Sequence, residues 1–509
     1  MNKKLILSVV AAAILANGAF AKDYVKNDLR TMFLNNKAVI YELNMRTFNA
    51  NDLNGNGIIE LNKGETRGNF LNAIDRLDEL KDLGINAIHV MPINPVGTKQ
   101  ALGTAGSLYS MKEIAAIDPN LADKNSDLDV KSQAKKFIDE CHKRGIRVFV
   151  DLPACASVEM ADIRPDLMLR DEKGELVTPC DWTDVRLLKV VNKDGSLYKP
   201  LLDEHKKYVD MLLEIGADGI RADVAPIKSQ VFWYQLIKYA RSKDPQFMFL
   251  AETAEAWAPP SVPSPTADYK KLLNVGFDGY YGNCLDFLKF KSSEDLEKVF
   301  AYVKKMTRKG HRKAVIGCFD THDLKSAYTV SKNYPQAIMY MNATLPLNPY
   351  YVDGFSTGDK YDYAYRGKTA DTTYTDNNVY FTHKNQIDIF NYSRKPDGGD
   401  QEAFALLKKT LALREELGDI VTKGSFKLLD TSDDTVFAYE RNYKKHGVIV
   451  AVNTDQKHST YTTIKVNKKI LNKYEVLTTI GEIDDARGKL VANIPAGKAV
   501  VIKYNLAKR

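Results

Sequence analysis

Three short stretches of this 509-residue chain set charged side chains where apolar runs end: "GIRADVAPI" from Gly219, "FLAETAEAW" from Phe249, and "FDTHD" from Phe319. The first puts Arg221 and Asp223 two residues apart, on one face of an extended strand. Taken alone, such a pair reads as a structural ion pair at a strand end. The other two stretches change that reading by adding Glu252, Asp320, His322 and Asp323. Like charges gathered in one place raise one another's pKa, so four carboxylates with an arginine and a histidine suit acid, base and nucleophile better than stability. Arg221 would hold Asp223 ionised as a nucleophile. Glu252, close to other carboxylates and a tryptophan, would keep its proton and serve as acid and then base. Attack by one carboxylate and protonation by another is the division of labour that cleaves an acetal, with retention of configuration when the carboxyls stand roughly 5–5.5 Å apart.

Residues so far apart in sequence meet only if a scaffold lines up their strand ends. Eight apolar runs read as strands: "AVIYEL" from Ala38, "INAIHVMPI" from Ile85, "IRVFVDLP" from Ile146, "ADGIRADV" from Ala217, "FMFLAET" from Phe247, "GFDGYY" from Gly276, "KAVIGCFD" from Lys313 and "LPLNPYYV" from Leu345. Amphipathic stretches lie between them, such as Phe70 to Gly84 and Val130 to Gly145, each closed by a glycine. Eight strand–helix units predict an α/β (β/α)8 TIM barrel over residues 22–418, with its chemistry at the C-terminal strand ends. The third unit carries a charged, turn-rich insertion at about 152–200 that would cover one side of the barrel mouth. From 419 to 509 short alternating runs such as "TVFAYERN" and "GVIVAVNT" predict a C-terminal all-β sandwich.

The N-terminus, "MNKKLILSVVAAAILANGAFA", has Lys3 and Lys4, an apolar run and a small-residue cleavage site, and residues 1–21 read as a secretory signal peptide. A periplasmic or secreted protein, with no membrane attachment after cleavage, is expected. The formal charge of +7 falls by two when that leader leaves, and no basic run with interleaved aromatics suits nucleic acid. Five cysteines without a C-x-x-C pair argue against zinc and thioredoxin-type sites. In an exported protein Cys155 and Cys180 could bridge within the insertion. His89 reads as a satisfied histidine near a strand end, and Tyr350 and Tyr351 as barrel filling with one face toward the mouth.

The strands "IYELNMRTF", "HVMPINPVG", "GIRADVA", "FLAET" and "FDTHD" resemble, in order and spacing, the alpha-amylase superfamily, glycoside hydrolase family 13. The resemblance runs from about residue 38 to the end. It implies Asp223 as nucleophile, Glu252 as general acid/base and Asp323 as the carboxylate that stabilises the transition state. It further implies Arg221, His322, Tyr109 and Asp151 as substrate-binding residues, Tyr109 being the aromatic platform under the sugar. An alpha-glucan or maltooligosaccharide substrate and a monomeric enzyme follow as expectations. The "NDLNGNGIIE" segment resembles the family's calcium loop after strand one, with Asp52, Asn54, Asn56, Ile58 and Glu60 as ligands; alternating oxygen donors around a glycine turn are what Ca2+ asks for.

Two motifs depart from the family. After Asp151 the family carries Asn and His, and here Cys155 and Ala156 stand in "DLPACAS". The motif after Asp223 often ends in Lys-His, and here Pro226 and Ile227 stand there. The carboxylates favour a retaining hydrolase, while the altered shell leaves two alternatives: an alpha-glucan transglycosylase resembling the maltosyltransferases, and a glucan-binding relative without catalysis.

Overall fold

The computed structural model describes residues 27–505, apart from 52, 54–60, 102–105, 180–181, 254–265, 268, 273, 283–284, 308–312, 325, 361–397, 468–472, 479–481 and 487–488. The leader, the calcium-loop residues Asp52, Asn54, Asn56, Ile58 and Glu60, and Cys180 therefore lie outside the described residues.

All eight expected barrel strands form. They are β1 (Ile40–Leu43), β2 (Ala87–Val90), β3 (Arg147–Leu152), β6 (Gly219–Ala222), β7 (Met248–Glu252), β8 (Gly279–Tyr281), β9 (Ala314–Gly317) and β10 (Asn348–Val352), with a two-residue ribbon β4 (Ala156–Ser157) and β5 (Val185–Arg186) in the insertion. The barrel closes in the order β1-β10-β9-β8-β7-β6-β3-β2, every neighbour parallel. Crossover helices include α1 (Leu77–Leu83), α2 (Val130–Lys143), α3 (Lys199–Ile215), α4 (Gln230–Lys243), α5 (Ser293–Thr307), α6 (Tyr334–Thr344) and α7 (Gln401–Leu417). Asp129 caps α2 by accepting from the Ser132 N–H, which satisfies one of the donors a helix start leaves open. The first crossover is shorter than its sequence pattern. Asn72 to Arg76 forms a 3-10 turn, and the Asn69 and Asn72 side chains bond the local backbone there in place of α-helical pairing.

Side-chain alternation along the strands sorts the barrel interior into an apolar floor and a polar mouth. Ile40, Ala87, Phe149 and Leu250 fill the floor, against Leu29 and Phe33 of the helix Leu29–Leu34. Two residues further along the same strands stand Glu42, His89, Asp151 and Glu252. A period of two thus converts one layer of packing into the next layer of chemistry.

Behind the barrel, β11 (Ser425–Leu428), β12 (Val436–Tyr443), β13 (His446–Asn453), β15 (Tyr474–Val476) and β18 (Ala499–Asn505) form one antiparallel sheet. A second sheet contains β14 (Thr460–Ile464), β16 (Glu482–Ala486) and β17 (Lys489–Ile494). Ala438, Ile449, Ile464, Ala492 and Ile502 share the core between the sheets, while Phe437, Tyr439, Val450 and Val501 turn the other way into the main core of the barrel. β12, β13 and β18 are therefore buried on both faces, and the sandwich buttresses the barrel.

Candidate active site

Strand β6 lies between β3 and β7 in register, so Asp151 pairs with Arg221 and Arg221 with Leu250. Gly219 permits this closeness: a Cβ there would stand 2.6 Å from the Met248 carbonyl oxygen. Arg221 is fully buried and its guanidinium gathers three carboxylates. One terminal nitrogen donates to both oxygens of Asp151 and to Asp223 Oδ1, all at 3.0 Å, and the other stands 3.0 Å from Glu252 Oε2. Backbone donors complete the arrangement: Ala154 N–H bonds Asp223 Oδ2 at 2.8 Å and Val224 N–H bonds Glu252 Oε2 at 2.7 Å. Val224 has φ +35°, a left-handed conformation that a β-branched residue adopts only at a cost of about 1–3 kcal/mol. That strain directs its N–H at Glu252.

Burial and the charges of Asp223 and Asp323 push Glu252 up to about 8 against the opposing pull of Arg221. It holds its proton at neutral pH. Burial lifts Asp223 as well, and Asp151 adds to the effect, so the simple expectation that Arg221 depresses Asp223 omits desolvation. The proton on Glu252 removes the like charge beside Asp223, which then faces Arg221 and the Ala154 N–H as the anion. Burial opposes the charge on Asp151 too, but Arg221, His89 and His322 together keep Asp151 below the usual carboxylate range.

His322 and Asp323 follow β9. The His322 imidazole bonds Glu42 through Nδ1 and stands 3.0 Å from the Tyr109 hydroxyl and 3.3 Å from Asp323 Oδ2 through Nε2. Burial works against its charge, yet Asp323 and Glu42 raise it to about 10, so both ring nitrogens donate at neutral pH. Tyr109 in turn donates to Asp151 Oδ2 at 2.9 Å, and its ring lies nearly parallel to that of His322. Asp323 has 46% of its side chain exposed against 11% for Asp223 and 14% for Glu252. It is the carboxylate open to an arriving ligand.

The structure thus brings together Asp223, Glu252, Asp323, Arg221, His322, Tyr109 and Asp151. Asp320 turns away and accepts from the Ala327 N–H at 2.9 Å. One group at the mouth, Glu42, went unread in the sequence, and another, His89, reads there as structural. Glu42, in the fully buried four-residue strand "IYEL", was detectable as a charge inside an apolar run. His89 belongs to the same network: its Nδ1 meets the Tyr350 hydroxyl at 2.9 Å and its Nε2 lies 3.4 Å from Asp151 Oδ2.

Residues 45–157 match the family model described as the alpha amylase catalytic domain. By this match and by the relatives that follow, the chain is similar to the alpha-amylase superfamily. A cyclomaltodextrinase from a Bacillus species is 28% identical over 228 residues, covering 41% of this chain and 37% of that protein. Another, from Thermoanaerobacter pseudethanolicus, is 22% identical over 432 residues, covering 79% and 66%. The chain thus spans between about a third and two thirds of the length of these curated relatives. A maltogenic alpha-amylase structure from Thermotoga neapolitana superimposes with a TM-score of 0.65 at 20% identity, covering 94% of this chain and 100% of that one. The two motif departures read in the sequence meet in the structure: Cys155 and Ile227 pack in one apolar cluster with Ala154, Val185, Leu187 and Val224.

Proposed function

We propose that this chain is an exported, retaining alpha-glucan hydrolase that acts as a monomer on maltooligosaccharides by double displacement. The observation that carries the reading is the pair of carboxyls, Asp223 and Glu252, on the two nitrogens of one guanidinium, with burial and neighbouring carboxylates lifting Glu252 to about 8. Two carboxyls on the two nitrogens of one arginine favour the short separation of retaining enzymes over the roughly 6.5–9.5 Å of inverting ones. Glu252 gives its proton to the glycosidic oxygen while an Asp223 oxygen bonds the anomeric carbon and the C–O bond to the leaving sugar breaks. Glu252, now anionic, takes a proton from water, whose oxygen displaces Asp223 and restores the starting state. Asp323, with the His322 imidazolium beside it, faces the positive charge that develops on the sugar ring. Export rests on the leader pattern of residues 1–21. The oxygen-rich segment Asp52 to Glu60 is retained as a calcium loop, read by a fall in Tm on adding a chelator.

Transfer to a sugar hydroxyl shares the first half of this mechanism. The apolar residues that replace the polar pair after Asp151 favour it as a second reading, since they leave fewer groups to order water beside Asp223. Incubating the mature protein with maltoheptaose and β-cyclodextrin, with Asp223→Asn and Glu252→Gln as controls, tests all three readings by product chromatography. Shorter linear products that vanish in both controls support hydrolysis. Products longer than maltoheptaose support transfer, and binding without turnover overturns the catalytic reading.

A further inference from the structure

The departures after Asp151 and after Asp223 are bridged by a residue that neither the sequence motifs nor the mechanism use. Lys228 follows the 3-10 turn Ala225–Ile227, and its side chain is 1% exposed. Its ammonium reaches back to the loop after β3 and donates to the Ala154 carbonyl at 2.9 Å. Ala154 is the residue whose N–H holds Asp223 Oδ2. One alanine is therefore gripped on its carbonyl side by Lys228 and on its amide side by Asp223.

A buried ammonium is costly unless hydrogen bonds and nearby negative charge offset it. The groups facing Lys228 come from several elements: Cys155 and Ala154 from the β3 loop, Asp223 from the end of β6, His205 from α3, and the Trp233 ring of α4 at 5.7 Å. Burial pulls Lys228 down to about 8, with Cys155 and Asp223 opposing. His205 is driven to about 3, by burial and then by Lys228, and so stays neutral. A methionine of similar length would fit among these neighbours without such cost. The cation is retained at the one carbonyl that fixes the Asp223 loop.

Resting on the proposed function of this same site, we propose that Lys228 is the positioning residue of the nucleophile: by holding the Ala154 carbonyl it fixes the Ala154 N–H against Asp223 Oδ2. Lys228 touches no reacting atom; it keeps Asp223 aimed through the loop that replaces the family's polar pair. A carboxylate freed from one of its two holding groups loses alignment with the anomeric carbon, and misplacement by about 1 Å costs on the order of a hundredfold in rate.

The test compares wild type with Lys228→Met in three readouts. The expected result is a kcat on maltoheptaose reduced between about tenfold and a hundredfold with KM within about twofold. Tm should be unchanged or higher near pH 7, because a charge has left an apolar site. Amide hydrogen exchange in the peptide spanning Asp151 to Ser157 should accelerate while the rest of the barrel stays protected. An unchanged kcat overturns the proposal. So does a lowered Tm with exchange accelerated across the whole barrel, which marks a role in stability alone. If wild type does not turn over maltoheptaose, it is the catalytic reading that fails; local exchange in Lys228→Met then decides the positioning role by itself, faster exchange upholding it and unchanged exchange overturning it.

Discussion

Arg221 at the barrel mouth and the pair Arg414 and Arg441 behind the barrel are all buried guanidinium groups, and their partners differ in kind. Arg221 meets the carboxylates Asp151, Asp223 and Glu252, and their charges outweigh its burial, holding it well above its usual value. Arg414 and Arg441 meet backbone carbonyls. Arg414 donates to the carbonyls of Asn342, Ala343, Leu345, Asn36 and Leu347, and Arg441 to those of Thr344, Ser425, Val421 and Gly424. Burial dominates there and pulls both below the usual guanidinium value. Several of those carbonyls are the last ones of α6, which have no partner within the helix. One arginine organises charge for chemistry, whereas the other two close a helix end and stitch the sandwich to the barrel.

Replacing the arginines one at a time breaks the comparison most sharply. Arg221→Met strands three carboxylates in a buried site, and the expected cost is about 3–5 kcal/mol in stability together with a loss of at least about 10³ in kcat/KM. Urea unfolding and initial rates on maltoheptaose measure both. Arg414→Met leaves several carbonyls unsatisfied, at a cost of about 3 kcal/mol in stability, while the rate per folded molecule stays within about twofold. An Arg414→Met protein that unfolds as wild type does, or one that is fully folded and inactive, would refute the division into chemistry and stitching.

The pH dependence of rate sharpens the same contrast, since the mouth contains a carboxyl lifted toward neutrality. With Glu252 lifted to about 8, kcat/KM should fall above about pH 8 as the acid loses its proton, tenfold per unit. Because burial also raises Asp223, the acid limb should lie above the ordinary carboxylate range. A profile flat to pH 10 would mean that another group donates the proton.

Much of this was legible in the sequence because the barrel repeats one rule. In β1, β2, β3 and β7 the residue two beyond the floor position is polar, so Glu252 was legible at its strand end, while Asp151 was read through the family resemblance. The short runs of β12 and β13 marked the sandwich, although neither strand alternates buried with exposed residues because both faces are covered. Other features depend on where loops meet, and no periodicity encodes that. Lys228 looks like any lysine at the start of a helix, and only the fold carries its ammonium to Ala154. Asp320 sits in the same five-residue motif as Asp323, yet a turn of the backbone sends it to the Ala327 N–H and away from the mouth.

The smallest effect concerns Glu42, which separates charge at the mouth from charge within the network beneath it. Glu42 is fully buried and bonds His322 Nδ1, and it lies 3.4 Å from His89 Nδ1. Burial opposes its ionisation, but His322 and then His89 hold it below the usual carboxylate range, so it stays charged across the neutral region. The raised His322 contributes stability that is fully present below about pH 6.5 and lost as pH rises through about 10. Glu42→Gln keeps the size and removes the charge that faces the imidazolium. Its stability deficit should be about 1–3 kcal/mol near pH 6 and should shrink toward pH 10, where wild type loses the same contribution. Activity should drop by about tenfold at pH 8 and less at pH 6, because His322 then deprotonates closer to neutrality and loses the charge that its Nε2 side presents to Tyr109 and Asp323. Equal deficits at pH 6 and pH 10 would show that Glu42 serves packing alone, and the mouth would then need only the three carboxylates on Arg221 to set its charge.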